Sequence, residues 1–177
     1  MADYFRGHHK ELLQEALVIA EEMTFDFFKL SASQWRRARY DILTLEALHR
    51  EEISPHALAL VAKYNGYPQD RLLPSAAFDF YRICIQDHNI LKTLDNCGEL
   101  RLLPLLSYIL THELVHLVRF SQFQAHFEAS AAEKHLEEQR VHRLTQDILT
   151  PLNFLDLTPV IRYYKGCSSG GWQYAHL

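Results

Sequence analysis

His112, Glu113 and His116 occur in the order His-Glu-Leu-Val-His, a spacing suited to chemistry on one face of a helix. Residues four apart in an α-helix lie one above the other, so two imidazole nitrogens can meet a single metal ion while the carboxylate between them stays beside it. Zinc accepts such nitrogen ligands and, once held, polarises water and a carbonyl group. Glu113 then reads as a general base that takes a proton from the attacking water and returns it to the leaving group, rather than as a ligand.

The setting of the motif agrees with that reading. Thr111 to Val118 is apolar and uncharged apart from the motif itself, as expected of a buried helix. The competing account makes His112 and His116 ordinary core histidines, and it requires a distant base to pair with Glu113, because a buried carboxylate needs partners. The chain holds eleven histidines, scattered rather than clustered in a tag.

Several elements must position these residues. Aliphatic runs and Pro104 in the first turn predict one long buried helix from Leu102 to Phe127, with the motif in its middle. Ser130 and Glu133 have the spacing of a capping box, so a second helix is expected from Ala131 until Thr150-Pro151 stops it. Upstream, helical periodicity predicts helices over Lys10 to Lys29, Gln34 to Glu52 and Pro55 to Tyr64. Asn65-Gly66-Tyr67-Pro68 signals a turn and Pro74 a break, after which Phe78 to Ile85 favours a strand. Asp87 to Gly98 fits neither period cleanly. The tail, with Val160 to Tyr164 and a Gly/Ser turn at Ser168 to Gly171, predicts an irregular cover or one more strand. The expected architecture is a single α+β domain over residues 1–177, predominantly α-helical, with a small β-sheet.

The stretch from Thr111 to Val118 resembles the active-site helix of zincin metallopeptidases. The metzincin continuation HExxHxxGxxH is missing, since Arg119 stands at the glycine and Gln122 at the third histidine. With the helix that follows, residues 105 to 150 are most similar to the glutamate-zincin (gluzincin) branch. That resemblance implies a third ligand about twenty residues past the second histidine, and Glu138 lies twenty-two residues beyond His116. Glu138 shares a helix face with His135 and His142. His142 stands where the family more often has an acidic residue, so it orients a ligand or serves as the third ligand itself. Glu137 is the second choice among the glutamates. The bland reading of both glutamates is that they favour the N-terminal part of a helix. The family also implies a transition-state stabiliser near the metal, for which Tyr163, Tyr164, His135 and Arg162 are candidates. It further implies an extended peptide aligned on an edge strand, here Phe78 to Ile85. The expected activity is hydrolysis of a peptide or amide bond in a peptide or protein substrate, with zinc as cofactor.

Two rival readings use the same residues. Glu46-Ala-Leu-His49 and Glu113-Leu-Val-His116 are both Glu-x-x-His, the ligand pair of ferritin-like dimetal iron proteins, with Glu15 and Glu138 completing the set. Alternatively, His112, His116, Glu138 and His142 close a non-catalytic zinc site of four ligands.

Composition narrows the class. A net charge of -4 and a pI near 6.2 give no broad basic surface, and Arg36, Arg37 and Arg39 form only a local cluster, so nucleic acid is not an expected partner. Cys84, Cys97 and Cys167 are odd in number and contain no CxxC pair, which predicts free thiols in a reducing compartment. No leader-like start and no long apolar run are found, so the expected location is the cytoplasm, away from membranes.

Overall fold

The computed structural model describes residues 3–37, 39–66 and 78–167. Helix α1 (His8–Phe27) and the short α2 (Ala32–Arg37) lead into strand β1 (Tyr40–Leu43). Two 3-10 turns, Leu45–Ala47 and Arg50–Glu52, precede β2 (Ala59–Gly66) and β3 (Phe78–Ile85). Helices α3 (Asp87–Asn96), α4 (Leu102–Ser121), α5 (Ala131–Leu149) and α6 (Thr158–Cys167) complete the α+β arrangement, with a 3-10 turn at Asn153–Leu155.

The sheet has the order β1-β3-β2, with β1 parallel and β2 antiparallel to β3. Gly66 faces Phe78 across the ladder, and a Cβ there would collide with the Phe78 ring. Tyr81, Ile83 and Ile85 alternate onto the face that joins the main core, while Cys84 sits with Leu60 and Ala62 on the other face. That core draws on α1, β3, α3, α4, α5 and α6.

Helix α4 is buried on nearly every side from Pro104 to Arg119. Packed against it, α1 presents Ala16, Ala20 and Thr24, small residues at intervals of four that let the two helices approach closely. Asp87, at 1% exposure, accepts the backbone N–H of Phe5 at 2.8 Å and of Leu45 at 3.1 Å, so one carboxylate fixes the segment before α1 and the 3-10 turn that follows β1. At the start of α5, Ser130 and Glu133 form the expected capping box: Glu133 Oε2 accepts the Ser130 N–H at 2.9 Å.

Three expected elements differ in the structure. The helix over Gln34 to Glu52 ends at Arg37, and Tyr40–Leu43 pairs with β3 instead; Asp41 sits opposite Arg82 and takes both its Nε and Nη2. The helix over Pro55 to Tyr64 is β2, because buried Leu60 and Ala62 complete a half-buried face against β3 that outweighs the helical propensity of the sequence. The tail forms α6, opened by Thr158-Pro159, with Val160 and Tyr164 one turn apart and buried. Asp87 to Gly98 resolves as α3. The α4 helix stops at Ser121, and Phe123 adopts a left-handed φ of 56°. Tyr67-Pro68, Pro74 and the Gly/Ser turn lie outside the described residues. No helix among the described residues is long and apolar enough to cross a membrane.

Candidate metal centre

His112 and His116 project from α4 one turn apart, and Glu138 reaches them from α5. All three are nearly enclosed, with 7%, 3% and 8% of their surfaces exposed. Glu138 Oε1 lies 2.6 Å from His116 Nε2, and Oε2 lies 3.3 Å from His112 Nε2. Donors bound to zinc at about 2.0–2.1 Å in a tetrahedron stand roughly 3.3 Å apart, so these atoms need little movement to share an ion. Among the described residues, these three bring metal-ligating atoms within 4.8 Å of one another.

The electrostatics show a carboxylate kept ionised inside the protein. Burial works to raise the Glu138 carboxyl, but His112 and His116 outweigh it and hold the group well below the usual carboxylate range. The Nε2 atoms of both histidines face Glu138, so ligation through them leaves the ring proton on Nδ1. His112 Nδ1 is buried and finds no hydrogen-bond acceptor among the described residues. The donor set of two imidazoles and a carboxylate, enclosed and converging, fits a zinc ion.

Glu113 stands beside this group, part-exposed, on the adjoining face of α4. Burial pushes its carboxyl up to about 7, with His112 pulling against that rise and Glu138 adding to it. A carboxyl poised near neutrality is suited to taking and returning a proton.

His142 approaches from α5, its ring centroid 4.4 Å from that of His112. Burial, reinforced by His112, pushes its pKa down to about 3, so the ring is neutral at pH 7. Its Nδ1 is 3.0 Å from the Tyr108 hydroxyl and its Nε2 is 3.6 Å from Glu138 Oε2, while the ring stays outside the three-residue group. Tyr164 from α6 lies against both aromatic neighbours, 4.5 Å from the Tyr108 ring and 5.2 Å from that of His142. Burial, together with Tyr108 and Tyr163, drives its phenol well above the ordinary value, and Glu113 and Glu138 contribute.

The other expected site residues fall elsewhere. Glu137 is taken up by Arg119, which contacts both its oxygens and also holds Gln124 Oε1 at 3.0 Å. His135 is exposed and pairs with Gln139 at 3.1 Å. Arg162 makes an exposed ion pair with Glu99 at 2.7 Å. Tyr163 is half-buried and stacks edge-on to Tyr164 at 5.4 Å. The second Glu-x-x-His pair is not on a helix: exposed Glu46 occupies a 3-10 turn and pairs with Lys10 at 3.1 Å, while His49 and Glu15 are also exposed. Strand β3 is central rather than at an edge, and over Tyr81–Cys84 both its backbone sides are already paired.

Tyr108 and Phe120 were not anticipated. Their signal is the continuation of the motif's own spacing, since Tyr108, His112, His116 and Phe120 follow at intervals of four. Arg119 carries no such signal, because its partner Glu137 is on another helix. Set against known proteins, the chain matches no protein family, no curated protein and no solved structure.

Proposed function

We propose that the chain is a zinc-dependent metallohydrolase of gluzincin type that cleaves a peptide or amide bond. The observation that carries this reading is the convergence of His112 Nε2, His116 Nε2 and the Glu138 carboxylate beside a second carboxyl, Glu113, raised to about 7. Zinc in that cradle supplies Lewis-acid polarisation of water and of the scissile carbonyl. Glu113 removes the proton from the attacking water at a carboxylate oxygen and passes it to the nitrogen of the leaving amine. His142, neutral and fixed through Tyr108, keeps its Nε2 turned toward Glu138 and steadies that ligand. Tyr164, whose ring lies 5.2 Å from that of His142 and whose phenol feels Glu113 and Glu138, is the candidate for stabilising negative charge on the substrate oxygen. The free thiols of Cys84 and Cys97 support a reducing, cytoplasmic setting.

A non-catalytic zinc site is the second reading, favoured by the 3.6 Å approach of His142 Nε2 to Glu138. Both are tested by elemental analysis of protein purified without added metal, followed by cobalt substitution. One zinc per chain, with a cobalt spectrum that responds to a small added anion, supports the open hydrolytic site. A four-coordinate spectrum indifferent to anions supports the closed one. Absence of metal after zinc titration removes both.

A further inference from the structure

Tyr108 stands one turn before His112 on α4 and is fully buried, so its hydroxyl proton is directed to a protein acceptor. Two side chains from α5 meet that hydroxyl, His142 with Nδ1 at 3.0 Å and Gln146 one turn further on. Burial raises the Tyr108 phenol to about 12, and the Gln146 hydrogen bond pulls against that rise, which is the effect of an amide N–H directed at the phenol oxygen. With Gln146 donating, the hydroxyl is left to donate to His142 Nδ1. The Tyr164 ring, stacked at 4.5 Å on Tyr108 and tilted at 5.2 Å against His142, holds both rings in place.

The direction of this relay decides what His142 can do. A neutral imidazole carries one ring proton, and the hydrogen bond made by one nitrogen sets the state of the other. A donor at Nδ1 places the proton on Nε2, which faces Glu138 Oε2 at 3.6 Å. A protonated ring nitrogen has no lone pair to offer a metal ion. We infer that Tyr108, oriented by Gln146, keeps His142 out of the coordination sphere of the candidate metal centre and so preserves an open position there for water and substrate. The inference rests on His112, His116 and Glu138 binding zinc as proposed, and it names the two residues that separate the open site from a closed one in which His142 is the fourth ligand.

Cobalt in place of zinc reads the result without turnover. The unaltered chain should give an absorption spectrum that shifts when azide is added. Tyr108→Phe keeps the ring and removes the proton donor, while Gln146→Glu accepts the hydroxyl proton and turns it away from His142. Each should free Nε2 to bind and give a four-coordinate spectrum that azide no longer moves. Adding His142→Ala to Tyr108→Phe should bring the azide response back. In metal-free protein, nitrogen NMR should find the His142 ring proton on Nε2 in the unaltered chain and on Nδ1 in Gln146→Glu. A proton on Nδ1 in the unaltered chain, or an azide response that survives both Tyr108→Phe and Gln146→Glu, overturns the inference and leaves the metal centre standing. An unaltered chain that binds cobalt and ignores azide overturns it as well, since the site is then already closed. If neither cobalt nor zinc binds, the metal centre itself falls, and the inference with it.

Discussion

Glu113 and Glu138 are neighbouring carboxyls driven in opposite directions, one up to about 7 by burial and one down by two imidazoles. In metal-free protein the raised group favours its protonated form in the fold. Its contribution to stability is therefore complete below its unfolded pKa near 4.5 and is lost as pH rises through about 7. Glu113→Gln imitates the protonated form, so metal-free variant and wild type should melt alike at pH 4.5. By pH 8 the variant should be more stable by about 1–3 kcal/mol, as measured by thermal unfolding across that range. The same variant should bind zinc normally and hydrolyse nothing, a gain in stability tied to the loss of a strained functional group. His142→Ala should retain zinc but weaken its affinity roughly 10- to 100-fold in chelator competition. Removal of stoichiometric zinc by that substitution would make His142 a ligand. At this scale much was legible in the sequence: the four-residue period brings His112 and His116 together, and the resemblance to the gluzincin helix pair points to Glu138. That resemblance ranks Glu138 above Glu137, and the geometry groups Glu138 with the histidines; what the sequence did not show is the partner of Glu137, since adjacent helical residues point about 100° apart and Arg119 takes the other one.

The connection between α4 and α5 is held by a clamp of charge. Arg119, 7% exposed, grips Glu137 and the Gln124 side chain and carbonyl, so the segment that sets the angle between the two ligand-bearing helices is tied to both. Arg119→Ala takes the buried guanidinium away from Glu137 and leaves it the exposed Arg140 at 3.4 Å, and should cost about 3–5 kcal/mol in denaturant unfolding. Arg119→Lys should restore little of that loss, since an ammonium lacks the two-pronged geometry. Ser130→Ala removes the cap of α5 and should cost about 1 kcal/mol. Helices α4 and α5 were legible because period, capping and length agree in each. Strands β1 and β2 were not, because Leu- and Ala-rich segments with good helical propensity are captured by β3 through pairings non-local in sequence, such as Tyr40 with Tyr81 and Ala59 with Ile85.

Across the whole molecule, the α+β class followed from composition and from the long helices, while the sheet order depended on pairings that no local signal encodes. Zinc binding should raise the melting temperature in step with free zinc, with about 4 kcal/mol of added stability as the ceiling at a thousandfold excess over Kd. Alanine at both His112 and His116 should abolish that dependence in calorimetric scans.

The candidate ligands are close together in the chain, within residues 112–138, whereas supports of α4 come from farther away, in α1 and in β2. In kinetic terms, closing the span from His116 to Glu138 is a fast, short-range event, while burying α4 waits for partners separated by long stretches of chain. If the site takes zinc as proposed, an ion present during refolding should meet its ligands before the core has assembled. It also finds some of them in the denatured state, so the equilibrium gain from zinc falls short of the single-site value while the route to the native state is biased toward early pairing of α4 with α5.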